Sequence, residues 1–389
     1  MKTHPGLQGG PIYLDYNATT PVDPAVVDAT LPYLSTHFGN PSSTHRYGRT
    51  THHAIDIARQ QVAQLLHCSP TEIIFTAGGS ESDNLAIRGV ALARRAKGNH
   101  IITQLTEHPA VLNTCGALER FHGFRVTYLP VDGSGRISLA DLEAAIEEQT
   151  VLITIMHANN ETGTLQPVAE IAQIAHRHGV LMHTDAAQSV GKIPTAIDAM
   201  GVDLLTLAGH KMYAPKGIGA LYVRQGLQLE PIIYGGGQEV GRRAGTENIA
   251  FIVALGTACL LAYEHLTESQ IRLQRLRDLL HQRLEAYLPG SLYLNGHRTE
   301  RLPNTLNVSV DDVVGEEVLA AIPKIASSTG SACHEGNTDP SAVLLAMGIS
   351  RGRALGALRL TLGSWSSEEE VEQAATLLAR TIATMRNKL

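Results

Sequence analysis

The sequence is poor in the features that mark several protein classes. Only four of its 389 residues are cysteines (Cys68, Cys115, Cys259 and Cys333). None forms a CxxC pair, and their spacing matches neither a zinc site nor a disulfide framework. Residues 1–11 lack the charged-then-apolar pattern of a leader. No uninterrupted apolar run approaches the roughly 18 residues a membrane span needs. Positive charge is not in excess: 31 Lys and Arg stand against 37 Asp and Glu, for a formal net charge of −6. Neither a nucleic acid nor a membrane surface is therefore expected as the main partner. Internal repeats and low-complexity tracts are missing as well. What remains is the expectation of a cytoplasmic protein whose thiols stay reduced, at least three of them as packing groups.

What the sequence does have is a globular composition, 43% hydrophobic and 17% charged, over a length that suits two domains better than one. Between about 70 and 225, short β-rich runs alternate with helical patterns. The predicted strands are 72–76, 100–104, 125–131, 151–157, 179–185, 203–207 and 218–224, with helices over 80–97, 138–148 and 168–178 among them. Such alternation predicts a mainly parallel sheet sandwiched by helices, with ligands beyond the carboxyl ends of its strands. Near 262 the pattern changes. Leu273, Leu276, Leu280, Leu284 and Leu288 predict a long amphipathic helix that ends at Pro289-Gly290. A strand at 306–310, a Ser/Thr/Gly-rich loop at 327–337 and a last helix from Ser367 follow. These form a smaller C-terminal α/β domain. The expected division is 13–262 for the large domain and 263–389 for the small one, joined by residues 1–12.

Four segments at strand ends carry chemistry. After the first strand, 76–84 (TAGGSESDN) puts small residues and Ser80 at a helix start, where free N–H groups suit phosphate, although most such turns are only turns. Asp185 ends a buried strand, where a carboxylate needs a cation such as a protonated pyridine nitrogen, unless it merely caps a helix. Lys211, in Gly209-His210-Lys211, can form a Schiff base with an aldehyde cofactor, or it is a surface lysine. The turn 213–219 (YAPKGIG) would hold it in place. His108 could stack on a pyridine ring and shuttle protons, or be a surface or cap residue. Phosphate cradle, stacking His, pyridine-directed Asp and Schiff-base Lys come in that order, each after a different strand, and the combination selects the functional alternatives.

More motifs accompany these: YLDYNATTP at 13–21, GNPSS at 39–43, ESDN at 81–84, NNETG at 159–163, GHK at 209–211, GGGQE at 235–239, RAGT at 243–246, GSAC at 330–333 and LRL at 358–360. On them, from Tyr13 to about Met385, the sequence resembles the NifS/IscS-type cysteine desulfurases and the related selenocysteine lyases, pyridoxal 5′-phosphate (PLP) enzymes of fold type I. The resemblance implies that Lys211 carries PLP, that His108 stacks on its ring, that Asp185 pairs with the pyridine nitrogen and that Gln188 reaches the phenolic oxygen. It implies Gly79, Ser80 and His210 as phosphate ligands, with Thr246 contributed by the other subunit of a homodimer. Asn160 would lie near cofactor and substrate, and Arg359 and Asn40 would bind the substrate carboxylate. Cys333 would be the nucleophile that takes sulfur from L-cysteine as a persulfide, leaving alanine. The polar, Gly-containing stretch after it would present that sulfur to an acceptor protein, for iron–sulfur cluster assembly or another sulfuration.

Two positions depart from the family pattern. Ala208 stands where the family has a Ser that helps hold phosphate, so one hydrogen bond is missing or is supplied by Thr206 or water. His334-Glu335-Gly336 replaces the commoner Thr-Ser after the cysteine. Both departures look more like selenocysteine lyases, which makes L-selenocysteine the alternative substrate. Other fold type I activities, or a PLP-bound scaffold without turnover, fit the residue set less well.

Overall fold

The structure is a computed structural model that describes residues 3–330 and 339–387. Cys333 and residues 334–336 lie outside the described residues. Among the described residues the strands are β1 (Ile12–Tyr13), β2 (Ile73–Thr76), β3 (His100–Gln104), β4 (Arg125–Leu129), β5 (Thr150–Thr154), β6 (Leu181–Asp185), β7 (Leu204–Ala208), β8 (Gly219–Val223), β9 (Leu292–Leu294), β10 (Thr305–Val310), β11 (Ile325–Ala326) and β12 (Ala357–Thr361). The helices up to the domain change are α1 (Pro24–Ser35), α2 (Arg46–Leu66), α3 (Gly79–Ala93), α4 (Pro109–His122), α5 (Leu139–Ala145), α6 (Val168–Arg177), α7 (Ile197–Met200) and α8 (Ile249–Tyr287).

β2 to β8 make one sheet in the order β2-β8-β7-β6-β5-β3-β4. Every pairing from β4 through β7 is parallel, and β8 runs antiparallel to both β7 and β2. Each strand predicted for this region is present. β5, β6 and β7 are buried along their whole length, the pattern of parallel strands covered on both faces by crossover helices. Because β8 reverses direction between them, β2 and β7 point the same way. The carboxyl ends of β2, β3, β5, β6 and β7 therefore open on one edge.

A second layer pairs β12, β10 and β9, all antiparallel, with the last helix Glu368–Arg386 packed against it. Ser367 and Glu370 cap that helix reciprocally. β1 pairs with β11, so the start of the chain joins this layer; Ile12 and Leu14 sit in its core beside Leu276, Leu280 and Leu360.

Two sequence expectations need correction here. The long helix expected around Leu273 to Leu288 begins as early as Ile249, ahead of the pattern change near 262, because the apolar stretch before it continues the same helix. Part of α8 is also long and apolar enough to cross a membrane by length and composition, contrary to the reading that no such run exists. In this structure that part packs against α1 and α2, burying Ile252, Leu255, Ala258 and Cys259 in the large core. Its continuation buries Leu273 to Leu284 in the second core. Residue 262 thus falls inside one continuous rod that serves both.

Close approach of α2 and α8 depends on Gly256, where an added Cβ would come within 2.6 Å of Ala58 Cα. Gly256→Ala gains about 1 kcal/mol of helix propensity. Overpacking at such a contact costs roughly 1–3 kcal/mol and is the larger effect. The variant's urea midpoint should fall; an unchanged or higher midpoint would show that α2 yields freely.

Candidate active site

The common edge of the sheet encloses a cavity of about 220 Å³. Gly79 and Ser80 enter it after β2, His108 after β3, Asn160 beyond β5, Asp185 and Gln188 at the end of β6, and His210 and Lys211 after β7. Arg359, from the middle of β12, closes the far side. Nine of the residues picked from the sequence therefore meet in one place.

Lys211 leaves β7 in a single tight turn, Gly209–Lys211. The chain after it is pinned: Tyr213 adopts φ 69°, its N–H donates to Thr20 Oγ1 and its hydroxyl accepts from Ser364 N. Lys211 Nζ donates to the backbone oxygens of Asn17 (2.6 Å) and Ala18 (2.9 Å). Burial, helped by the positive charge of Arg359, pulls its pKa down to about 8. The amine thus gives up its proton, and becomes nucleophilic, at a lower pH than an ordinary lysine.

Asp185 accepts one backbone N–H, from Ala187 at 2.9 Å, and burial raises its pKa. His108 is both things the sequence allowed. It caps α4 through Nδ1, which accepts from Ala110 N, and it lines the cavity, where burial lowers its pKa. Behind them lie two further acids, Asp83 and Glu107, pushed well above their ordinary range by burial first and by the charge of Asp185 after it. Asp83 Oδ1 and Glu107 Oε2 are buried without a hydrogen-bond partner among the described residues. A cation placed beside Asp185 would relieve this acidic bed.

At the other end, α3 begins at Gly79 after Gly78, whose φ of +148° is open to glycine. A Cβ on Gly79 would meet Ala208 Cβ at 3.3 Å, so the floor is built from small groups and first-turn N–H donors. His210 offers a ring whose Nδ1 is 3.2 Å from Thr19 Oγ1 and which burial holds neutral, with a pKa of about 4. The expectation that Thr206 could replace the missing serine hydroxyl is corrected: Thr206 is fully buried and its Oγ1 is 3.1 Å from His183 Nε2, away from the cavity.

Arg359 is nearly covered. Its Nη2 donates to Asp15 Oδ1 (2.9 Å) and Ser328 Oγ (2.8 Å), and its Nη1 to the backbone oxygen of Asn160 (3.2 Å). Its Nε is buried without a partner among the described residues, an open donor for a carboxylate. This donor set fits PLP: a nucleophilic amine, a buried carboxylate for a ring nitrogen, and a small-residue helix start for a phosphate.

Two expected residues do not line this cavity. Asn40 is exposed, and its Oδ1 accepts from Ser42 N in its own turn. Thr246 is exposed in the stretch before α8. Cys333 lies outside the described residues. The sequence reading gave no individual role to Asp15, Asn17, Asp83, Glu107 or Lys192. The first three lie inside motifs it quoted, but only burial and partners reveal what they touch.

A family model described as Aminotransferase class-V matches residues 12–374. The chain is 46% identical over 377 residues to "Cysteine desulfurase IscS" of Dictyoglomus turgidum, covering 96% of this chain and 95% of that one. A solved structure described as a NifS-like protein superposes with a TM-score of 0.90 at 36% identity, over 96% of this chain and all of the other. Another, described as SspA in complex with cysteine, gives 0.81 at 41% identity over 91% of this chain and 99% of that one.

The depressed amine makes a prediction. Cofactor-free protein mixed with PLP should turn yellow at a rate that rises with pH around a midpoint near 8. A midpoint near the ordinary lysine value of 10.5 would show that burial does not act on Lys211.

Proposed function

The chain belongs to the aminotransferase class-V family, and on that premise we infer that it is a PLP-dependent cysteine desulfurase of fold type I, with the persulfide formed on Cys333. One observation carries the reading. A buried amine, Lys211, shares a cavity with a buried carboxylate, Asp185, and with a guanidinium that keeps a free N–H, Arg359.

When bound, the cofactor supplies an aldehyde for the amino group and a sink for the electrons left at Cα. Lys211 would carry it and would move the α-proton at Nζ. Asp185 would hold the pyridine nitrogen and His108 would cover the ring. Gln188 would offer Nε2 to the phenolic oxygen, and Gly79, Ser80 and His210 would hold the phosphate. Arg359 and Asn160 orient the substrate carboxylate, with Asn40 drawn toward it. The thiolate of Cys333 forms an S–S bond to the substrate sulfur as the substrate's Cβ–S bond breaks and Cβ gains a proton. Cysteine and a thiol thereby become alanine and a persulfide, with no outside oxidant.

The comparisons favour cysteine over selenocysteine, since the curated relatives carry desulfurase names and one structural neighbour is described with cysteine bound. The test is direct. Holoenzyme given L-cysteine and a thiol reductant should release equal amounts of alanine and sulfide. Cys333→Ser should stay yellow and lose sulfide production; full activity in that variant would remove the thiol mechanism. A strong preference for L-selenocysteine would restore the alternative.

A homodimer belongs to the same proposal. Asn40 and Thr246 are exposed, and near them in sequence lie Leu34, Phe38, Tyr234 and Val240, large apolar residues at 64%, 73%, 73% and 91% exposure. A second copy would cover them and bring Thr246 to the neighbouring cavity. An acceptor protein for the persulfide and a cytoplasmic setting complete the reading. Mixed dimers of Lys211→Ala with Thr246→Ala should recover normal cofactor affinity in one of their two sites, because both lesions then fall in the other. Absence of any fully restored site would place Thr246 in its own chain's cavity.

A further inference from the structure

Lys192 has no part in the reaction above, yet it is buried (8% exposed) four residues beyond Gln188. Its Nζ donates to Gln188 Oε1 at 3.0 Å and reaches Asn17 Oδ1 at 3.5 Å. Both partners are neutral amide oxygens rather than carboxylates. Gln188 in turn donates from Nε2 to the backbone oxygen of Asn17 at 3.0 Å. That same oxygen accepts Lys211 Nζ at 2.6 Å. The side chain of Asn17 is itself fixed, because its Oδ1 accepts from Asn304 Nδ2 at 3.0 Å.

A glutamine amide has a donor end and an acceptor end, and its two orientations are nearly isosteric. Here a lysine amine settles the choice. Turning the amide over would face its NH₂ against the N–H donors of Lys192 and its oxygen against the carbonyl of Asn17. Two hydrogen bonds would be lost at buried groups, each costing about 1–3 kcal/mol. The donor end therefore stays on the Lys211 side.

We propose that Lys192 is a positioning residue for the cofactor: it locks the Gln188 amide with Nε2 on the Lys211 side of the cavity, ready to donate to the cofactor's phenolic oxygen. The proposal rests on the desulfurase reading for the presence of PLP and for the partner of Gln188. Burial, then the charges of Lys211 and Arg359, pull the Lys192 amine down to about 7. The lock survives that titration, because a neutral amine still donates to Oε1. The charged and titratable groups around the Lys211 end are Arg359, Asp185, Asp15, His108 and His210. On the other side Lys192 and Lys211 border a second cavity with Asp23, His265, Glu268 and Arg272. All of these stay constant across the variants below.

A donor on the phenolic oxygen withdraws electrons from the link between cofactor and Lys211, and so lowers the pH at which that link takes a proton. Losing the lock should raise it. The experiment is a pH titration of the visible absorbance of purified holoenzyme, for the wild type, Lys192→Met, Lys192→Ala, Lys192→Arg, Gln188→Leu and the double variant Lys192→Met/Gln188→Leu. The Met and Ala variants should both move the midpoint upward, by about one pH unit; using two sizes guards against a misfit at either. Arg, which keeps an N–H donor, should stay close to wild type. Gln188→Leu should shift upward too, and adding Lys192→Met to it should change nothing more. A midpoint that stays or falls in both the Met and Ala variants overturns the proposal. So does a shift that is as large in the Gln188→Leu background as without it. A wild-type chain that never becomes yellow overturns instead the reading on which the proposal rests.

Discussion

The structure turns on a largely buried amine whose hydrogen bonds go to backbone carbonyls rather than to a carboxylate. Lys211 Nζ rests on two backbone carbonyls, those of Asn17 and Ala18. A carbonyl stabilises an ammonium by a dipole only, far less than a full opposite charge in a site of low dielectric. Burial therefore wins, and the amine is brought toward neutrality where a surface lysine would stay charged. Those carbonyls belong to residues that follow β1, which is tied into the second core through β11. The segment crosses from that core to the mouth of the large sheet, so neither layer by itself completes the environment of the lysine. The long rod of α8, buried in both cores, holds the two at the spacing this crossing needs.

The opposite problem concerns Asp83, Glu107 and Asp185, whose pKa values burial raises, and for Asp83 and Glu107 the charge of Asp185 adds to it. A close-packed interior normally avoids such groups, and each unpartnered buried oxygen costs about 1–3 kcal/mol. His183 does not relieve them as a cation: its Nε2 is 3.8 Å from Asp83, and burial lowers its own pKa to about 3. Local rules of burial and pairing are broken together around one cavity, by buried amines and by buried acids. That is the arrangement expected where binding energy from a ligand completes the structure.

Much of this was legible from the sequence because sheet and site share a physical cause. Strands buried on both faces must be apolar along their length, and the polar residue that ends such a run stands at the strand's mouth. Asp185 and Lys211 are conspicuous for that reason alone. The helix start at Gly79 is legible from its small residues. Other features left weaker marks. The apolar stretch before 262 reads as ordinary core and gives no sign that it continues into the leucine repeat. Asn40 and Thr246 belong to recognisable motifs, but one chain does not bring them to the cavity. Thr206 looked available as a hydroxyl until the partner of its Oγ1, the ring of His183, was in view. Lys192 carries no signal of its own, since a lysine after a glycine is most often at the surface; its meaning comes entirely from being buried against Gln188.

Ala208 shows how the covalent link changes what the rest of the site must do. A hydroxyl there would add one hydrogen bond to a charged phosphate, a contact of about 1.5–3 kcal/mol. For a cofactor held only by such contacts, its loss would weaken binding by roughly ten- to more than a hundredfold. A Schiff base to Lys211, as proposed, would change that comparison, because release would then require breaking a covalent bond as well as the phosphate contacts. The floor also leaves little room for more: Gly79 and Ala208 approach so closely that a methyl on the glycine would already sit at 3.3 Å from Ala208 Cβ. With small groups on both sides, the first-turn N–H groups of α3 can come directly against the phosphate, and the helix dipole supplies attraction without any side chain. The phosphate end can therefore lose a hydroxyl, whereas the amine end, where Lys211, Asn17, Gln188 and Lys192 interlock, has no such redundancy.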